Sequence, residues 1–248
     1  MPISIIMYKF ILAYLYLQLS MLNLVSQTKS PLIVRDNMLW FGYYNSIVIS
    51  PKWSINTDIQ FRTKNGLSNK LLGLIRTDVS YKFNDKFTLA IGVAHFRYFV
   101  TNEVTRGEWR PWQELKHTTK FGRLKLIQRL RVEQRFNETV AKDVPTNHYQ
   151  FNFRLRYRFD LRYPIIKEKE TGNNLYALVG NEIMFNAGGP STYSYFDQYR
   201  LFGGLHYEVN KKLSLQLLYM HYWQLSSTGS TLSSNEVIRF NIYHTITL

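Results

Sequence analysis

Residues 148–160 read H-Y-Q-F-N-F-R-L-R-Y-R-F-D, with an apolar side chain at every second position. Because successive side chains of a β-strand point to opposite faces, this alternation predicts a strand with one aromatic face and one charged face. The charged face carries Arg154, Arg156 and Arg158. A soluble sandwich would bury the aromatic face and leave the arginines in solvent. A membrane barrel would instead turn the aromatic face to lipid and the arginines to a polar lumen.

The same two-residue period recurs along most of the chain. It is present in 53–62, 124–136, 198–209, 213–223 and 237–248, and no stretch beyond the N-terminus has a convincing helical period. The chain has 248 residues, of which 16% are aromatic. Repeated alternating segments that are rich in tyrosine and phenylalanine are typical of outer-membrane barrels. We therefore predict an all-β protein that forms a transmembrane antiparallel β-barrel.

The start of the chain has the layout of a secretory signal peptide. Lys9 is followed by an apolar core, and Ser26 offers a small residue at the cleavage point. We predict a signal peptide at 1–26 and an outer-membrane β-barrel at 27–248. A retained membrane anchor is the alternative, because the apolar stretch approaches the length that spans a bilayer. Met7 could also be the true start.

Turn signals divide the chain after residue 37 into about eleven strand-like segments. Short connectors are expected at 50–52, 84–86, 121–123 and 210–212, and longer loops at 63–70, 99–111, 137–147, 187–197 and 225–235. This alternation is typical of outer-membrane barrels, although 161–174 is long and charged where a short turn is expected. Since single-chain bacterial barrels have an even number of strands, we predict 10–12 strands and favour twelve. Either 31–36 supplies a twelfth strand, or a weak segment such as 112–120 does not span the membrane.

Several motifs carry a family likeness. They lie at 156–159, 181–186, 196–205, 219–221 and 238–244. Over about residues 38–248 the chain resembles an uncharacterised family of Gram-negative outer-membrane proteins, catalogued as a domain of unknown function (number 2490). The resemblance implies an outer-membrane β-barrel and carries no established activity.

Two neighbouring inward rows concentrate arginine. The predicted basic wall of the lumen consists of Arg129, Arg131, Arg135, Arg154, Arg156 and Arg158, and the available counter-charges are Glu114, Glu133, Asp160 and Glu182. One interpretation is a salt-bridge network that fills a narrow barrel, because unpaired buried charges are costly. The other is a basic constriction that passes or binds small anions. Nucleic-acid binding is not predicted, since the positive charge lies in alternating strand rows rather than on an exposed face.

Signals for enzymatic chemistry are sparse. The chain has no cysteine, no G-x-S-x-G or H-E-x-x-H motif, and no metal-ligand spacing among its six histidines, so no metal or cofactor is predicted. His206, which faces inward beside Glu208, is the best candidate for acid–base work. A membrane lipase would need serine and histidine at the lipid face. Ser226 and Ser227 lie near His221 in the sequence, but a serine-rich loop tip is ordinary.

These patterns predict a bacterial outer-membrane location, with outer-membrane lipid and small anions as candidate partners. The favoured role is a passive channel or a structural envelope protein. An outer-membrane enzyme acting on lipid or lipopolysaccharide is one alternative. A soluble periplasmic β-barrel binding protein is another.

Overall fold

A computed structural model describes residues 31–141, 144–168, 173–188, 195–226 and 229–248. In this part of the chain eleven strands form one closed barrel, with each strand antiparallel to the next along the sequence. The strands are β1 (Leu32–Val48), β2 (Trp53–Lys64), β3 (Asn69–Lys82), β4 (Phe87–Val100), β5 (Glu103–Phe121), β6 (Leu124–Ala141), β7 (Val144–Lys167), β8 (Asn174–Ala187), β9 (Phe196–Glu208), β10 (Leu213–Leu225) and β11 (Thr231–Thr247). The described residues contain no helix that is long and apolar enough to span a membrane.

The preference for twelve strands is wrong for the described chain, because the ring closes with eleven. Of residues 31–36, the last five begin β1 instead of forming a strand of their own, and 112–120 lie within β5. In an antiparallel meander of odd number, the first and last strands run in the same direction. The seam is therefore a parallel ladder between β1 and β11, from the Leu32–Thr231 pair to the Val48–Thr247 pair. The predicted signal peptide lies outside the described residues.

The side chains of β7 face as the alternation predicts. Phe151 and Leu155 expose 39% and 41% of their surface on the outside of the barrel, whereas Arg154 and Arg156 expose only 7% and 6%. Other strands repeat this orientation, with exposed apolar residues that include Ile59, Ile75, Ile91, Leu130, Val179, Leu217 and Ile238. The barrel therefore has an apolar outside and a polar interior, which is the reverse of a soluble sandwich.

The connectors differ from the predicted alternation of lengths. At the end where β1 finishes, here called the lower end, they are 49–52, 83–86, 122–123, 168–173 and 209–212. At the opposite, upper end they are 65–68, 101–102, 142–143, 188–195 and 226–230. The prediction of long loops at 63–70, 99–111 and 137–147 is wrong, because strand pairing continues almost to the turns. Residues 161–167 likewise belong to β7 rather than to a long connector.

The interior also contains two apolar clusters. The larger cluster consists of Met38, Trp40, Leu178, Phe202, Leu218, Met220, Tyr222 and Val237, and the smaller one of Leu72, Leu74, Ala94, Phe96 and Trp112. Gly180 permits the close packing of the larger cluster, because a Cβ atom there would lie 2.8 Å from the Phe202 ring and 2.3 Å from the Phe159 carbonyl oxygen. These clusters narrow the lumen and leave charged residues to line the remaining space.

Candidate functional site

A polar cavity of about 1060 Å³ occupies the barrel interior. Its lining reaches from Ser46 and Thr245 near the lower end to Thr139 and Gln150 near the upper end. Among the described residues that line it, fifteen are Lys or Arg and eight are Asp or Glu, an excess of seven positive charges. A low-dielectric wall with this excess focuses a positive potential into the cavity.

The structure brings the predicted wall residues together on one side of this cavity. All six predicted arginines line it, namely Arg129, Arg131, Arg135, Arg154, Arg156 and Arg158. Glu114, Asp160 and Glu182 line it as well, whereas Glu133 is almost fully buried within the wall. The arginines are thus held by carboxylates rather than by solvent.

Arg156 joins two buried carboxylates at the centre of the wall. Its Nη1 donates to Glu133 Oε1 at 2.6 Å, and its Nη2 donates to Glu182 Oε1 at 2.8 Å. Glu182 also accepts from Arg129 Nη2 at 2.6 Å and from Arg200 Nη1 at 3.1 Å. Three guanidinium groups therefore converge on one carboxylate that is only 1% exposed. Charge-assisted bonds of this kind are the strong ones in a protein interior.

Glu108 extends the same network and was missed by sequence reasoning. It accepts from Arg110 Nη2 at 2.7 Å, from Arg135 Nε at 2.7 Å and from the Tyr98 hydroxyl at 2.9 Å. Arg110 also donates to Glu133 at 3.1 Å, and this bond connects the contacts around Glu108 to those around Arg156. Glu108 and Arg110 fall in the loop predicted at 99–111. Extending the two-residue period of β5 towards its beginning would have placed them in the inward row.

Further ion pairs complete the wall. Glu114 accepts from Arg131 Nη2 at 2.6 Å, and Arg158 Nε lies 3.0 Å from Asp160 Oδ1. Arg154 Nη2 lies 2.7 Å from Asp197 Oδ2, an acid outside the set of predicted counter-charges. The charged residues of β5 to β9 therefore form ion pairs within strands, between neighbouring strands and between strands that are two apart in the barrel.

A cluster of unpaired cations lies at the lower end of this wall. The β6–β7 ladder places Arg129 opposite Arg158 and Lys125 opposite Arg162. Like charges that face each other across a ladder destabilise it. Arg129 and Arg158 are neutralised by the acids named above. Among the described residues, by contrast, no carboxylate oxygen lies within 4.0 Å of the side-chain nitrogens of Lys125, Arg162 or the nearby Lys116. Glu114 and Asp78 attract Lys116, and Glu208 attracts Lys125, from a greater distance. We call these three residues the basic mouth.

The predicted acid–base pair does not form a catalytic contact. Glu208 accepts hydrogen bonds from Asn174 Nδ2 at 2.8 Å and from the Tyr176 hydroxyl at 3.3 Å. The His206 ring instead packs against aromatic neighbours, with centroid distances of 6.1 Å to Tyr176 and 5.7 Å to Tyr243. His206 and Glu208 therefore belong to the packing of the lower lumen. No group of three or more His, Asp or Glu residues in the described segments could hold a metal ion.

A closed all-β barrel with a charged, cross-linked lumen is the class that this fold and site define. A family model described as "Protein of unknown function (DUF2490)" matches residues 37–233, and the chain belongs to this family. The resemblance found in the sequence motifs is thereby confirmed.

Relatives add little about activity. The chain is similar to an uncharacterised protein of Methylorubrum extorquens, with 26% identity over 220 residues that cover 85% of this chain and 88% of the relative. Among solved structures it is similar to the siderophore receptor PirA from Pseudomonas aeruginosa, with a TM-score of 0.30, 11% identity and 71% of this chain covered. It is also similar to the siderophore receptor PirA from Acinetobacter baumannii, with a TM-score of 0.32, 10% identity and 70% of this chain covered. This chain covers 33% and 34% of the length of those receptors.

Proposed function

We propose that this protein is a bacterial outer-membrane β-barrel whose basic lumen passes small anions. The observation that carries the proposal is the distribution of side chains about the barrel wall. Apolar rows cover the outside, and the inside has an excess of seven positive charges along a cavity lined from one end of the barrel to the other.

The outer surface supports the membrane location. Soluble monomers rarely expose contiguous apolar patches larger than a few hundred Å². Here exposed isoleucine, leucine, valine and aromatic side chains recur on strand after strand. A closed barrel also satisfies its backbone hydrogen bonds without a free edge, which the hydrocarbon core of a membrane requires.

A pair of substitutions in β7 tests this location. Leu155→Arg should lower the stability of the barrel by about 2–4 kcal/mol, because it places a charge among lipid chains. Asn152→Arg is the matched control, and its effect should be much smaller because Asn152 lines the cavity. The measurement is the urea midpoint of the folded, heat-modifiable band of protein in lipid vesicles. Equal losses of stability for the two variants would contradict a lipid-facing outer surface.

The basic mouth supports the passage of anions. All six arginines of the wall are held by carboxylates, so their charge is largely compensated. The mouth residues have no carboxylate this close in the described structure, so more of their positive charge is left to attract an anion from the lower end. The mouth therefore supplies the selectivity in this proposal, while the wall supplies rigidity.

Conductance measurements test the passage of ions. Purified protein inserted into a planar bilayer under a potassium chloride gradient should give a zero-current potential with the sign of chloride selectivity. A cation-selective potential would contradict the proposed role of the mouth. Bilayers that stay silent after verified insertion would reject ion passage.

A structural envelope barrel is the second candidate function. The observation in its favour is the continuous network from Arg135 through Glu108, Arg110 and Glu133 to Arg156. Such a network stiffens the interior and occupies part of the lumen. Silent bilayers combined with an inserted, stable barrel would favour this candidate.

A further inference from the structure

A serine and a histidine meet on the outer face of the barrel near its upper end. His221 of β10 and Ser234 of β11 are joined by a hydrogen bond of 2.9 Å between Nε2 and Oγ. Both side chains belong to outward rows, next to the exposed residues Tyr219 and Ile238. The partner of His221 is therefore a serine on the neighbouring strand, and not Ser226, whose Oγ accepts from the Thr231 backbone nitrogen.

The surroundings of this pair are suited to an amphipathic ligand. The ladders place Glu236 directly opposite His221, and Arg35 of β1 directly opposite Ser234. Both charged residues are exposed. The Trp223 ring packs against the imidazole at a centroid distance of 4.2 Å. Apolar side chains continue below the pair on the outer surface. The pair therefore lies at the boundary between charged and apolar side chains.

We propose that Ser234 and His221 are the nucleophile and general base of an acyl-ester hydrolase that acts on phosphate-bearing membrane lipids. A serine hydroxyl is a weak nucleophile until an adjacent base accepts its proton, and a hydrogen bond of about 2.6–3.2 Å to that base is the geometric requirement. With Nδ1 protonated, the Ser234 hydroxyl donates to Nε2 of His221. Among the described contacts the His221 ring donates no hydrogen bond to the Glu236 carboxylate, so the arrangement is a dyad.

The chemical steps balance with water as the only co-reactant. Ser234 Oγ attacks the ester carbonyl carbon while His221 takes the hydroxyl proton. The lipid alkoxide then leaves with that proton, and the acyl chain remains on Ser234. His221 then takes a proton from a water molecule as that water attacks the acyl carbon. The bond to Ser234 Oγ breaks, the fatty acid is released, and His221 returns the proton to Ser234 Oγ. Arg35, which is exposed and opposite Ser234 in the β1–β11 ladder, supplies the positive charge for the lipid phosphate in this proposal.

The position of the dyad selects the substrate class. It faces away from the lumen, so a solute that passes through the barrel does not reach it. This inference rests on the membrane location proposed above, and it is independent of ion passage.

The test uses purified full-length barrel in phospholipid vesicles. Wild-type protein should release fatty acid and become labelled by a fluorophosphonate, which reacts covalently with activated serines. Ser234→Ala should abolish the labelling and lower fatty-acid release at least about 100-fold. His221→Asn should also lower release, because the base is removed. The matched control is Ser233→Ala, which changes the adjacent serine that lines the cavity and should leave both signals unchanged.

The outcomes separate this proposal from the previous one. Heat-modifiable mobility first establishes that each variant is folded. Protein that floats with vesicles and conducts, but neither labels nor releases fatty acid, overturns the hydrolase and leaves the channel intact. Release that persists in Ser234→Ala also overturns it. Protein that fails to float with vesicles overturns both proposals, because the outer face is then not in contact with lipid.

Discussion

Replacing Glu182 by leucine is expected to lower the free energy of unfolding by about 3–5 kcal/mol, because a buried ion cluster loses its shared partner. Glu182 is 1% exposed and accepts hydrogen bonds from Arg129, Arg156 and Arg200. Without it, three guanidinium groups remain close together with less compensating charge. The resulting repulsion adds to the loss of the charge-assisted bonds. The measurement is again the urea midpoint of the folded band in lipid vesicles.

The control for this change is Asp36→Leu. It removes the same negative charge from the cavity wall but breaks only a 3.9 Å contact with Lys64, in which the two side chains are 29% and 38% exposed. Exposed pairs contribute about 0–1 kcal/mol, so this variant should stay close to wild type. If both variants lost the same stability, the loss would be caused by the change in net charge and not by the buried contacts around Glu182.

The facing of the strands could be predicted from the sequence because it depends on local information. A side-chain period of two decides which residues share a face, wherever the strand lies in the barrel. Arg154 and Arg156 were assigned to the interior on this basis, and the structure buries both. The same rule finds Glu108 and Arg110 when it is extended, but the pattern of residues 99–111 predicts a loop in place of the first half of β5.

The strand number could not be obtained in the same way. Ring closure depends on which strands meet at the seam, and β1 and β11 are at opposite ends of the described chain. The even strand number of single-chain bacterial barrels favours twelve strands. The parallel pairing of β1 with β11 instead closes the barrel with eleven strands. The connectors were mispredicted for a related reason. In a single sequence, polar residues near the end of a strand have the composition of a loop. In the folded barrel, backbone pairing with the neighbouring strand keeps them in the β-ladder.

The contact between His221 and Ser234 also required the structure. The two residues lie on different strands, and a shift of one residue in the β10–β11 register would turn one row to the other face. The sequence indicated only nearby serines in the following loop. Pairing of Trp223 with Ser234 in the ladder places the serine on the outer face beside the imidazole.

Neutralising the basic mouth is expected to remove most of the anion preference while leaving the stability near that of wild type. The change is the simultaneous replacement of Lys116, Lys125 and Arg162 by glutamine. In the described structure these side chains form no ion pair within 4.0 Å and are attracted by carboxylates only from a greater distance, so no buried acid loses a close counter-ion. Removal of like charges from the Lys125–Arg162 pair also relieves repulsion across the ladder. The zero-current potential under a potassium chloride gradient should therefore move towards zero.

The same number of positive charges can be removed from the wall as a matched comparison. Replacement of Arg154, Arg156 and Arg158 by glutamine deprives Asp197 and Glu133 of close partners, among other acids. Leaving buried charges uncompensated costs about 3–5 kcal/mol or more, so this variant should lose much of its folded band in urea. The two triple variants thus have equal charge but opposite expected consequences.

This comparison separates selectivity from structure. If only the net charge of the lumen mattered, both variants would show the same shift in zero-current potential. The number of hydrogen bonds that each variant loses makes no prediction about ion selectivity. If the wall is paired and the mouth is not, the mouth variant should be stable and have altered selectivity, whereas the wall variant should be unstable. If the mouth variant kept full chloride preference in a conducting barrel, the unpaired cations would not be the selective element. The wall arginines would then have to act on ions despite their carboxylates, and the division between wall and mouth would be wrong.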